Sequence, residues 1–139
     1  MYGAEVFPDV ELVLTGFLRD VLPTLAAGGA TYAADVAVAN RLPNPRPPRA
    51  VTVRQDGGRR RDEVSLVARV GVNVWAMTEQ DATDLARLVA AALEAWTPPP
   101  VEHVQSMAAF SAIADESGQP RRYGSFEVTV TGTPLTLPA

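Results

Sequence analysis

The chain reads as an α+β domain, a mainly antiparallel sheet of four to five strands with two helices packed on one face, in the order α-β-β-β-α-β-β. Three observations predict it. Residues 64–76 alternate with period two: Val64, Leu66, Ala68, Val70, Val72, Val74 and Ala76 share one face, and Ser65, Val67, Arg69, Gly71, Asn73 and Trp75 the other. At Thr78 the period changes to that of a helix, with Ala82, Leu85, Ala86, Val89, Leu93 and Trp96 recurring at three- and four-residue steps. Asp56-Gly57-Gly58 then separates the long strand from an earlier alternating run, a hairpin signal that makes these neighbours antiparallel.

Each element follows from local chemistry. Residues 8–27 predict a helix whose apolar stripe is Val10, Val13, Leu14, Phe17, Leu18, Val21 and Leu25, with Glu11, Thr15 and Arg19 opposite. Pro8 suits the first helical position, and Asp9 and Glu11 place negative charge in the first turn. Pro23 lacks a backbone donor, which predicts a kink or an end near Leu22; Gly28-Gly29 stops the helix. A short strand is expected over Ala33–Ala39. Residues 42–49 hold four prolines and form a stiff extended loop. The strand Ala50–Gln55 runs through Asp56-Gly57-Gly58 and an arginine-rich turn into the long strand. Thr78 caps the second helix, with Glu79, Asp81 and Asp84 in or near its first turn. Three prolines, residues 98–100, break the chain. Val101–Ile113 then reads as a strand or a ragged strand and loop, Asp115-Glu116-Ser117-Gly118 as a turn and Arg122–Thr131 as the closing strand. Residues 132–139 form a proline-punctuated extended tail.

A chain of 139 residues is one domain, 1–139, and buries roughly two-thirds of its unfolded surface. Without cysteine there is no disulfide, no thiol catalysis and no thiolate zinc site. The net charge of -4 argues against a dedicated nucleic-acid binder. No apolar run approaches the ~20 residues that span a bilayer, and the first residues lack the basic and apolar regions of an export signal. All twelve basic residues are arginine, a bias that fits a GC-rich coding genome.

Catalytic chemistry is not visible. His103 is the one histidine, has only Glu102 as a neighbouring carboxylate, and reads as a strand or loop surface residue. Ser65, Ser106, Ser111, Ser117 and Ser125 lack a nucleophile-elbow context. Gly57-Gly58 lacks the lysine of a phosphate loop. Asp115-Glu116, adjacent acids in a glycine-bounded turn, read as solvated. No catalytic, cofactor-binding or metal-binding residue is expected, and the chain is not expected to be an enzyme. The candidate surface is an assembly interface. Arg59, Arg60 and Arg61 are the one dense charge cluster, at a hairpin tip with Asp62 beside them, suited to an acidic surface on a protein partner. Trp75 lies with Val67 on the sheet face away from the second helix, a mixed face that invites a neighbouring subunit. Trp96, on the helix stripe, is expected in the core.

The segment Arg61–Trp96, with its strand ending Val-Asn-Val-Trp-Ala and its helix beginning Thr-Glu-Gln-Asp-Ala-Thr-Asp-Leu-Ala-Arg-Leu-Val, resembles the tail-terminator proteins of long-tailed, siphovirus-like bacteriophages, particularly those of actinobacterial phages and prophages. The layout is similar too: an N-terminal helix, a proline-rich loop, a hairpin, this strand–helix unit and closing strands. The resemblance implies a structural virion protein that forms a ring of identical subunits, typically a hexamer, on the head-proximal end of the tail tube. Its partners would be itself, the tail tube protein and the head-tail connector or stopper protein, without cofactor, membrane or sequence-specific nucleic acid. It would sit in the neck region of the virion after assembly in the host cytoplasm. The alternative is another head-tail connector or neck component, or a small non-enzymatic binding module of similar layout.

Overall fold

Asp9 starts the first helix by turning its own side chain back onto the chain: Oδ1 accepts from the Leu12 amide at 3.1 Å, a cap that supplies one of the donors a helix start leaves unpaired. In the computed structural model, which describes residues 3–138, a two-residue strand β1 (Glu5–Val6) precedes this helix, α1 (Val10–Ala27). Asp9 is therefore the cap rather than a first-turn residue. Pro23 does not end the helix, which continues to Ala27 because Leu14, Leu18 and Leu22 hold it to the core while Pro23 faces solvent. Gly28 caps it, and Gly29, at φ 121°, takes the left-handed turn that glycine permits.

The side of α1 opposite its expected stripe is partly engaged: Glu11 is half-buried and Arg19 exposed, yet both bond to the sheet. Thr15 is buried and its hydroxyl donates to the Glu11 carbonyl at 2.7 Å. The Glu11 carboxylate accepts from the Gln55 amide at 2.7 Å, and Arg19 Nε donates to the Val38 carbonyl at 3.0 Å. Arg19 and Glu11 thus fasten α1 to a short strand β2 (Ala37–Ala39) and to β3 (Ala50–Arg60), respectively. The strand expected over Ala33–Ala39 is shorter: Thr31–Ala33 forms a 3-10 turn, and β2 pairs parallel to β3.

The hairpin is longer than its glycines suggest. β3 continues through Asp56-Gly57-Gly58 to Arg60, and its register on β4 (Ser65–Trp75) shifts between Gln55 and Gly57. The glycines make a bulge, not the turn. Gly57 has φ 139°, a conformation that favours glycine, and a Cβ on Gly58 would lie 2.6 Å from the Val67 carbonyl oxygen, so backbone conformation explains the first and close approach the second. The real turn is built by Asp62, whose Oδ1 accepts from the Val64 and Ser65 amides at 3.0 and 2.9 Å.

Thr78 caps α2 (Glu79–Trp96) through the Asp81 amide at 3.1 Å. Next come β5 (Val101–Ala112), β6 (Arg121–Thr131) and a two-residue β7 (Thr133–Pro134) that pairs with β1. The main sheet has the order β2-β3-β4-β6-β5, antiparallel except for β2 on β3. α1 lies over β2 and β3, and α2 over β4, β6 and β5, both on one face. Between them Val10, Leu14, Leu18, Leu85, Val89 and Leu93 meet Val51, Val53, Val70, Val72, Val74, Phe126, Val128 and Val130. The architecture is the α+β arrangement expected, with α-β-β-β-α-β-β order between the two short terminal strands. Trp96 departs from expectation: as the last helical residue it is 56% exposed, and Leu93 closes the buried stripe. No helix among the described residues is long and apolar enough to cross a membrane.

Candidate assembly surface

The arginine cluster divides. Arg59 lies near the end of β3, opposite Val67, on the sheet face away from the helices; its guanidinium is 67% exposed and 3.7 Å from the Glu127 carboxylate. Arg61 opens the turn, and its amide donates to the Ser65 carbonyl at 2.9 Å. Arg60 points the other way. Its guanidinium donates to the carbonyls of Gly3 at 2.8 Å, Glu63 at 2.6 Å and Asp62 at 3.2 Å, and lies 5.3 Å from the centroid of the Phe7 ring. Alternation sends neighbouring residues to opposite faces. Arg60 is thus a brace between the hairpin end and the segment around β1, through Gly3 and Phe7, while Arg59 and Arg61 present their charge outward. Asp62 is occupied with the turn.

Trp75 offers no open surface. It is 5% exposed, its Nε1 donates to Asp115 Oδ1 at 3.1 Å, and the Arg121 guanidinium lies 5.1 Å from the ring centroid. Val67 is equally covered. The face read as partly apolar is closed over its apolar members by polar side chains of the same chain, which removes hydrophobic area as the reason for a partner there.

Asp115 organises that closure, and the reading of it as solvated is corrected. Its carboxylate is 7% exposed, with Arg46 at 3.0 Å and Arg121 at 3.4 Å. The Ser117 hydroxyl donates to it, as does the Ser117 amide at 3.2 Å. The Ser117 hydroxyl bond, helped by Trp75, the Ser117 amide and the Arg46 charge and opposed by burial, holds the carboxyl near pKa 2 against an ordinary 3.8. Gln119 Nε2 donates to the Pro48 carbonyl at 2.9 Å, so the loop after β5 and the proline-rich loop are fastened together. Sequence reasoning missed this cluster. The signal was the Asp-x-Ser spacing, which favours side-chain bonds to nearby amides.

Arg59, Arg61, His103, Gln105, Glu127 and Thr129 surround a shallow depression of about 270 Å³ over Val67. His103 lies on β5 opposite Thr129 and is exposed, as expected. Among the described residues no cluster of histidine and carboxylates has metal-binding geometry. No protein-family model matches the chain, and no curated protein matches it. The surface is therefore described by its own chemistry, that of fixed positive charge on a rigid sheet.

Proposed function

We propose that this chain is a structural tail-terminator protein, a ring of identical subunits that caps the head-proximal end of a phage tail tube and joins it to the head connector. The observation that carries the reading is the Arg61–Trp96 unit, the long strand and capped helix whose residues resemble that family. Three features support it. The strand and helix form one packed unit, with β4 in the middle of the sheet and α2 folded back over it. The hairpin end is braced, since Arg60 ties it to the Gly3 carbonyl ahead of β1 and Asp62 ties it to its own turn. The outward charges of Arg59 and Arg61 stand on that support and suit an acidic protein surface.

A tube is a stack of repeating heterologous contacts that has no intrinsic end, so a cap must match the tube on one side and differ from it on the other. A rigid domain with chemically different faces meets that requirement without catalysis. The biochemical test is to add the purified chain to polymerising tube protein from the same phage and measure tube lengths by electron microscopy. Tubes that stop growing and carry density at one end are expected. Growth unaffected by excess chain would overturn the reading.

A further inference from the structure

The two layers of the domain carry opposite charge. α1 and α2 together hold six acids and two arginines, whereas β3, β4, β5 and β6 hold six arginines and three acids. Pairing places Arg54 opposite Gly71, Arg59 opposite Val67, and Arg69 opposite both Gly57 and Glu127. All three arginines therefore stand on the sheet face that the helices leave uncovered, and all three are exposed. Arg61 lines the depression on the same face. Among the described residues, Arg54, Arg61 and Arg69 form no ion pair, and Arg59 has only the long contact to Glu127. On the helix layer, Glu79 and Asp81 are held by Arg122 and Arg49. Asp20, Asp84 and Glu94 form no ion pair there, with Arg87 set between the last two.

We infer that the arginine face of the sheet docks on the acidic helix layer of a second copy of this chain. The contact joins two different patches, so it is head-to-tail and propagates into a ring or a filament rather than stopping at a two-fold dimer. It would give the sheet a helical cover on both faces, one from its own chain and one from the neighbour. Asp56 and Glu127 sit among the arginines, which favours a mixed protein surface such as Asp84-Arg87-Glu94 over a uniform polyanion such as nucleic acid. The inference deepens the terminator reading, from which it takes only the expectation that the contact closes into a ring.

The test uses two charge reversals of the full chain. Arg54→Glu with Arg69→Glu inverts the sheet face, and Asp84→Arg with Glu94→Arg inverts the helix layer. Sedimentation at low ionic strength and about 1 mM protein, which populates even a millimolar contact, reads self-association. The unaltered chain should associate, and added salt should weaken that association. Each double variant alone should associate about tenfold or more weakly, and mixing the two should restore association because each then meets an inverted partner. The milder pair Arg54→Ser and Arg69→Ser should weaken it in the same direction, which guards against misfolding of the reversals. An unaltered chain that stays monomeric, a variant that associates undiminished, or a mixture that fails to recover would each overturn the contact. So would a DNA duplex that binds the arginine face while the reversals leave self-association unchanged. Restored association with no effect of the chain on tube growth would keep the contact and remove the terminator reading.

Discussion

At the scale of single residues, the side chains that organise this domain are charged ones that tie near neighbours in sequence to distant ones. Asp115 gathers Trp75, Arg46, Arg121 and Ser117 around one carboxylate. Asp115→Asn keeps the shape and removes the charge, and should lower stability by about 1–3 kcal/mol at neutral pH in a denaturant titration. The sign with pH follows from the depressed folded value: the carboxylate contributes fully above its unfolded value of 3.8 and loses that contribution as pH falls through about 2. The unaltered protein should therefore lose stability across that window, and the Asn variant should show a shallower loss. Equal slopes would mean the carboxylate does not carry the cluster. Arg60 makes a second residue-scale case. Arg60→Ser should destabilise by about 1–2 kcal/mol through lost bonds to three carbonyls. Arg59→Ser with Arg61→Ser should stay within about 0.5 kcal/mol, as exposed substitutions usually do. Similar losses in both would erase the distinction between brace and outward charge. The division of the arginines was not readable beforehand, because a run of three shows no alternation of role until the strand direction and the Gly3 carbonyl are known.

At the scale of elements, sequence periodicity carried most of the fold. The strand alternation and the switch at Thr78 placed β4, α2 and its cap as they stand. Leu93→Ala should cost on the order of 2–5 kcal/mol, because Leu93 is buried between α2 and the sheet. A loss below about 0.5 kcal/mol in chemical denaturation would show that the stripe is not core. Where reading failed, tertiary contact overrode local signal. Asp56-Gly57-Gly58 has the composition of a turn but serves a bulge, since Gly58 packs against the Val67 carbonyl. Gly58→Ala should therefore cost about 1–3 kcal/mol, the range for forcing an added methyl into a packed site. An unchanged midpoint would contradict the close approach. Pro23 did not end α1 because three buried leucines outweigh one missing donor. Trp96, the last residue of α2, lies beyond the buried stripe, which closes at Leu93.

At the scale of the molecule, what stands out is a division of labour between the layers. The helices and one sheet face form the core, and the other sheet face is polar and rich in arginine, with no helix of its own chain over it. The sequence showed the charge cluster but not the face, since Arg54, Arg59 and Arg69 are brought together only by the β3–β4 register and its bulge. It also suggested a partly apolar second face, whose apolar members Val67 and Trp75 the folded chain covers with its own side chains. The proposed ring thus rests on charge and on the strand–helix resemblance, not on exposed hydrophobic area. The most direct test of the proposed terminator role is deletion of the gene from the phage or prophage to which the proposal assigns it, followed by electron microscopy of the lysates. Overlong or headless tails are expected, with normal tails restored by the gene in trans; tails of normal length attached to filled heads would contradict the account.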